Sequence, residues 1–168
     1  FLILALALVQ LGFAFSVSGG WEIGNGYSVK FTNPRVSGVF NKMRGDIIFD
    51  EKNLASSRFN VAIETASINT GNGMRNSHAK SKDWLDAKKY PEIRFTSSQI
   101  TKTGSSYLAK GTLQMHGVSK EMSIPFTFDG QKFSGSFTVN WKDFGMNGGG
   151  GGNDPNVKID LSVPVTRK

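Results

Sequence analysis

From Gly20 onward, apolar and polar residues take turns along the chain with a period of two. Tyr27, Val29 and Phe31 alternate with Ser28, Lys30 and Thr32, and the pattern returns at Ile47 and Phe49 and at Phe59, Val61 and Ile63. It recurs at Ile93 and Phe95, along Tyr107, Ala109, Gly111, Leu113 and Met115, and along Met122, Ile124, Phe126 and Phe128. Phe133, Gly135, Phe137, Val139 and Trp141 continue it, and Val157, Ile159, Leu161, Val163 and Val165 complete it. Strict alternation describes strands with one buried and one wet face, the antiparallel signature. About eight such strands joined by Gly/Asn/Asp turns predict an all-β domain, either a sandwich or a closed barrel. Pro125 and Pro164 fall on the polar side of their strands. Proline cannot donate a ladder bond, so each should mark an edge, a bulge or a strand start.

Two stretches break the alternation. Between Asn69 and Pro91, the residues Met74, His78, Ser81 and Leu85 recur at helical spacing and could share one face. Ser81 is placed to cap a helix starting at Lys82, with Asp83 in its first turn and Tyr90-Pro91 ending it. The expectation is a short helical insertion near residues 74–88, set as a lid over one end of the fold. The second stretch, Gly145–Asp154, contains a run of glycines. No Gly-Lys-Ser/Thr follows it, so it reads as a hairpin connection and not as a phosphate loop.

Residues 1–16 are apolar and uncharged. A membrane span needs about 20 such residues, and this run is interrupted by Gln10 and Gly12. Ala14-Phe15-Ser16 fits a signal-peptidase site. Residues 1–16 are therefore expected to be an export signal, incomplete at its start, followed by one domain over residues 17–168 that works in the periplasm or outside the cell. The absence of cysteine excludes disulfides, thiol nucleophiles and Cys-ligated metals. Lys and Arg number 20 against 13 Asp and Glu, a net charge of +7. The basic residues are scattered, and in an exported protein they do not point to nucleic acid. The densest group, Lys80, Lys82, Lys88 and Lys89, is either a solvated face or a site of transient contact with anionic membrane, where each Lys is worth about 1 kcal/mol.

Catalytic apparatus is thin. His78 and His116 stand alone, and no Gly-x-Ser-x-Gly elbow occurs. No catalytic residue, metal or cofactor is expected; the enzyme alternative would have to use Arg75, His78 or Asp143 on a lipid headgroup. Aromatic bulk is plentiful instead, with 13 Phe and 3 Trp. An eight-stranded barrel is just wide enough to be filled by side chains or to hold one small ligand. Periodicity does not choose between the two. A hollow interior would suit an apolar chain, because burial contributes about 0.8 kcal/mol per CH₂.

The segment Asp83-Trp-Leu-Asp-Ala-Lys-Lys-Tyr-Pro-Glu-Ile-Arg-Phe-Thr-Ser97 resembles a signature of the YceI-like family of polyisoprenoid-binding proteins. Thr70-Gly-Asn-Gly-Met-Arg75 with His78, the stretch from Tyr107 to Met122, Asp143-Phe-Gly145, Trp21-Glu-Ile23 and Gly45–Asp50 are similar to further family segments, in the right order. Two positions depart: Asn76 stands where the family often has Asp, and Trp141 where an Arg commonly precedes Asp-Phe-Gly. The resemblance implies an extended eight-stranded antiparallel lipocalin-like barrel that holds an isoprenoid lipid, polyprenyl or quinone, with a homodimer common. Fatty amides and polyprenyl phosphates are the alternative ligands. On this reading Phe31, Phe40, Phe49, Ile63, Phe95, Leu113 and Met115 line the cavity, together with Phe126, Phe128, Phe137, Trp141 and Phe144. Met74, His78, Trp84 and Leu85 belong near its mouth.

Overall fold

A computed structural model describes residues 19–148 and 153–168. The segment read as an export signal and part of the glycine run lie outside the described residues. Eleven β segments are joined in one sheet: β1 Gly20–Ile23, β2 Ser28–Asn33, β3 Val36–Phe40, β4 Met43–Ile48, β5 Arg58–Glu64 and β6 Ile68–Asn69. After one helix, α1 Gly73–Ala79, come β7 Glu92–Thr103, β8 Ser106–Met115, β9 Val118–Phe128, β10 Lys132–Asn140 and β11 Asn156–Arg167. All neighbours are antiparallel, and β1 pairs with both β4 and β11, so the sheet closes on itself.

The eleven segments occupy eight positions in a closed antiparallel barrel. Segments β1 and β2 lie end to end along β11, which pairs β2 through Lys158–Ser162 and β1 through Val165–Arg167. Similarly, β3 continues into β4 and β5 into β6, so three adjacent strands are broken at one level. Polar backbone freed from the ladder at a break needs other partners, and here side chains provide them. Tyr27 Oη donates to the Asn41 carbonyl at 2.9 Å and accepts from Met43 N at 2.9 Å. Ser67 Oγ donates to the Glu64 carbonyl at 2.7 Å and accepts from Lys42 N at 3.1 Å. Pro164 sits where β11 changes partner from β2 to β1, and its carbonyl accepts from Gly24 N at 2.8 Å. Pro125 likewise falls where a ladder stops, since β9 and β10 pair only through Phe126–Phe128 and Phe133–Gly135. Both prolines mark irregularities, as their missing N–H requires. Beyond Pro125 the two strands part, and the turn carrying buried Trp141, Phe144 and Met146 fills the gap.

Inside, the alternation becomes packing. Along β8 the residues Tyr107, Ala109, Gly111, Leu113 and Met115 are all buried, with exposed or half-buried residues between them. Gly111 is required by contact: a Cβ there would collide with the Thr96 carbonyl, beside the β-bulge at Ser97/Gln99. One end of the barrel is plugged by aromatic rings around Phe49, which is 1% exposed. Phe49 meets Phe59, Tyr107, Phe126, Phe128 and Phe133 at centroid distances of 5.1–6.2 Å, mostly edge to face, an arrangement the ring quadrupole favours. Trp21 closes the plug, its Nε1 donating to the Phe49 carbonyl at 2.9 Å.

The expected short helical insertion is present, but its helix lies earlier than the Lys82 start read from the sequence. Helix α1 spans Gly73–Ala79, and residues 81–90 form a series of turns. Asn72, not Ser81, is the N-cap, its side chain accepting from Arg75 N at 3.0 Å. Ser81 Oγ instead donates to the His78 carbonyl at 2.7 Å. A left-handed Asp86 (φ 43°) prevents a helix from running through that stretch.

Two predictions follow from these bonds. Tyr27→Phe strips the Asn41 carbonyl and Met43 amide of their shared partner and should cost about 1 kcal/mol in urea unfolding, with the barrel retained by circular dichroism. No measurable loss would mean that the stitch is dispensable. The second concerns Tyr107, whose Oη donates to Glu51 Oε1 at 2.6 Å. That bond, aided by burial, pushes the phenol from 10.0 up to about 12. The folded state thus holds its proton longer than the unfolded one. The stability advantage of wild type over Tyr107→Phe should be full below pH 10 and shrink as pH rises through about 12. An advantage indifferent to pH in that window would refute the bond.

Candidate functional site

Above the plug the barrel is hollow. A cavity of about 480 Å³ runs from the rings of Phe59, Phe126 and Phe133 to the end of the barrel where α1 lies. Close-packed interiors leave few voids larger than a water molecule, whereas ligand pockets measure roughly 300–1,000 Å³. The wall is apolar: Val29 and Phe31 from β2, Val61 and Ile63 from β5, Ile93 and Phe95 from β7, Phe137 and Val139 from β10, and Val157, Ile159 and Leu161 from β11. Val61, Ile63, Ile93, Phe137, Val157, Ile159 and Leu161 are only half-buried although they face this space. In a filled barrel these residues would be fully covered.

Polar groups gather at the mouth, where Asn33, Arg35, Thr70, Arg75, His78, Asn153 and Asp154 line the opening. A ladder of rings descends from it: His78 to Trp84 at 6.0 Å, then Trp84 to Trp141 at 5.6 Å, edge to face. Trp141 Nε1 donates to the Asp154 carbonyl at 3.3 Å, while the buried Trp84 Nε1 has no partner among the described residues.

Of the residues expected from sequence, Phe31, Phe40, Ile63, His78, Trp84 and Leu85 line the cavity, as do Phe95, Leu113, Met115, Phe126, Phe137 and Trp141. Four others lie elsewhere. Phe49 is the centre of the plug, and Phe128 packs in it against Trp21 and Phe133. Phe144 is buried in the turn beside β9, its carbonyl 2.9 Å from His116 Nδ1. Met74 points away into solvent, 85% exposed. The expectation favoured aromatic residues and passed over aliphatic ones of the same parity on β2 and β11, although Val157, Ile159 and Leu161 carry the plainest alternation in the chain. It also missed Arg35, which sits in the two-residue turn between β2 and β3. Asp143, considered as a catalytic group, is exposed on the turn and does not reach the cavity. Among the described residues no three His, Cys, Asp or Glu side chains come together as a metal site.

Two aspartate substitutions separate wall from plug. Phe137→Asp, at a half-buried wall position, should leave a folded barrel that has lost uptake of an apolar fluorescent dye. Phe126→Asp, which buries an unpaired charge among the plug rings, should unfold the protein. A Phe137→Asp variant that binds dye like wild type would contradict this description of the wall.

A family profile described as the YceI-like domain matches residues 21–166. A UPF0312 protein of Pseudomonas savastanoi pv. phaseolicola is 36% identical over 144 residues, which cover 79% of this chain and 74% of the relative. A UPF0312 protein of Yersinia enterocolitica is 32% identical over 140 residues, 77% of this chain and 73% of that one. Among solved structures, Burkholderia cenocepacia BcnA superposes with a TM-score of 0.78 at 25% identity, covering 86% of this chain and 99% of its own. A polyisoprenoid binding domain from Saccharophagus degradans shares the fold, with a TM-score of 0.62 at 13% identity over 89% of this chain and 94% of its own. With its closed barrel and a match across nearly the whole described structure, this chain belongs to the YceI-like domain family.

Proposed function

We propose that the protein is a non-catalytic carrier that holds one isoprenoid chain, polyprenyl or quinone, in its barrel. The cavity of about 480 Å³ carries this reading, because its wall asks nothing of a ligand but apolar surface. Each five-carbon unit buried there would contribute roughly 3 kcal/mol before ordering costs, and an isoprenoid needs no polar match along its tail. The fold neighbour described as polyisoprenoid binding agrees with this ligand class. A catalytic reading would need an acid–base pair or nucleophile at the ligand. Among the described residues the cavity lining holds a single carboxylate, Asp154, whose Oδ1 accepts from Asn156 N at 2.9 Å and Asn156 Nδ2 at 3.0 Å. Export to the periplasm or beyond is part of this proposal, and the apolar run of residues 1–16 ending in Ala14-Phe15-Ser16 supports it.

Native mass spectrometry of protein released from the periplasm tests both parts. The expected species is a chain beginning near Val17 that carries one isoprenoid, with the free lipid recovered in the organic extract. Ile159→Trp, which fills the cavity from β11, should fold at least as stably and come out empty. A wild-type protein that is well folded and empty in several hosts would sink the carrier reading.

A further inference from the structure

Two cations at the cavity mouth, Arg35 and Arg75, make no ion pair among the described residues. Arg35 is presented by the turn between β2 and β3. Asn33 fixes this turn, its Oδ1 accepting from Arg35 N at 3.2 Å and its Nδ2 donating to the carbonyls of Asp154 and Asn156, each at 2.9 Å. Arg75 is presented by α1, which is fixed at both ends of its first turn. Asn72 caps Arg75 N, and Asn76 Oδ1 accepts from both Thr70 N and Thr70 Oγ1 at 2.8 Å. Neutral amide bonds thus hold both backbones and leave the guanidinium groups uncommitted. Among the described residues, Arg44 and Arg94 are ion-paired with Glu92, whereas neither Arg35 nor Arg75 makes an ion pair. His78 lines the same opening as a further donor; the Asp154 carboxylate there accepts from Asn156 through Oδ1 and, among the described residues, forms no ion pair with either arginine.

Exposed arginines on a basic protein are ordinary, and one exposed ion pair is worth little. What sets these two apart is their place: both line the opening of an apolar cavity on separately fixed elements. A ligand whose tail fills the cavity brings its head to them, and the tail's binding makes the encounter intramolecular. A guanidinium fork matches the two oxygens of a carboxylate or phosphate. We infer that the site selects amphiphiles with an anionic oxyacid head, carboxylate or phosphate, over neutral ones with the same tail. This rests on the carrier reading above and, between the two ligands named there, favours a polyprenyl acid over a neutral quinone.

The test compares farnesol, farnesyl phosphate and farnesoic acid by calorimetry on the delipidated full chain, at low and high salt. At low salt one or both acids should bind about tenfold tighter than farnesol, the size of effect two exposed ion pairs supply. The ratio should fall as salt rises. In Arg35→Gln/Arg75→Gln the ratio should drop towards one, and Arg35→Lys/Arg75→Lys should restore part of it. Lys52→Gln/Lys132→Gln removes the same net charge near the plugged end and should keep the wild-type ratio. If all three ligands bind equally, the headgroup inference fails and the carrier reading stands. If the Lys52/Lys132 variant loses the preference as fully as the arginine variant, the mouth is not its source and the inference fails. If none of the three binds, the carrier reading itself fails.

Discussion

The packing of aromatic edges onto the faces and rims of Phe49 decides how the interior is divided. A closed sheet of eight strands encloses about as much room as large side chains can fill. At one end of the barrel Phe49, Phe59, Tyr107, Phe126, Phe128 and Phe133 pack against one another. Toward the other end, Val29, Phe31, Phe40 and Ile68 form a second, smaller buried cluster. Above the plug the rings of Phe31, Phe95, Phe137 and Trp141 line the space without filling it.

An apolar void is expensive. Residues that line an empty space give up contacts they would make in a filled interior, and the chain must offset that loss elsewhere. The plug, the closure of β1 onto β11 and the side-chain bonds at the strand breaks form the frame that tolerates it. A bound chain would relieve the same penalty, so loading and stability are coupled in this architecture.

Much of the frame could be read from the chain alone, because a period of two survives wherever one face of a strand is buried. The stretches from Tyr107 to Met115 and from Val157 to Val165 became strands with the expected faces inward. The breaks at Gly24–Tyr27 and Asn41–Lys42 were not legible as interruptions of continuous strands, since polar residues between apolar runs look the same in a hairpin turn. Helix α1 was displaced for a similar reason: Asn72 and Ser81 are both competent caps, and only the tertiary setting of Thr70 and Asn76 favours the first. Hollow and filled barrels need the same apolar parity, so Phe49 and Phe137 are equivalent in sequence. One is a plug and the other a wall because of their levels along the barrel axis, which depend on how the strands stagger.

The three strand breaks divide the barrel into two halves that answer to different demands. Below them, the residues are bound by mutual ring contacts, and a change at one is felt by its neighbours. Above them, short segments and a capped helix carry side chains that touch mainly the cavity or solvent. Such a molecule can drift in what it recognises without revisiting how it folds.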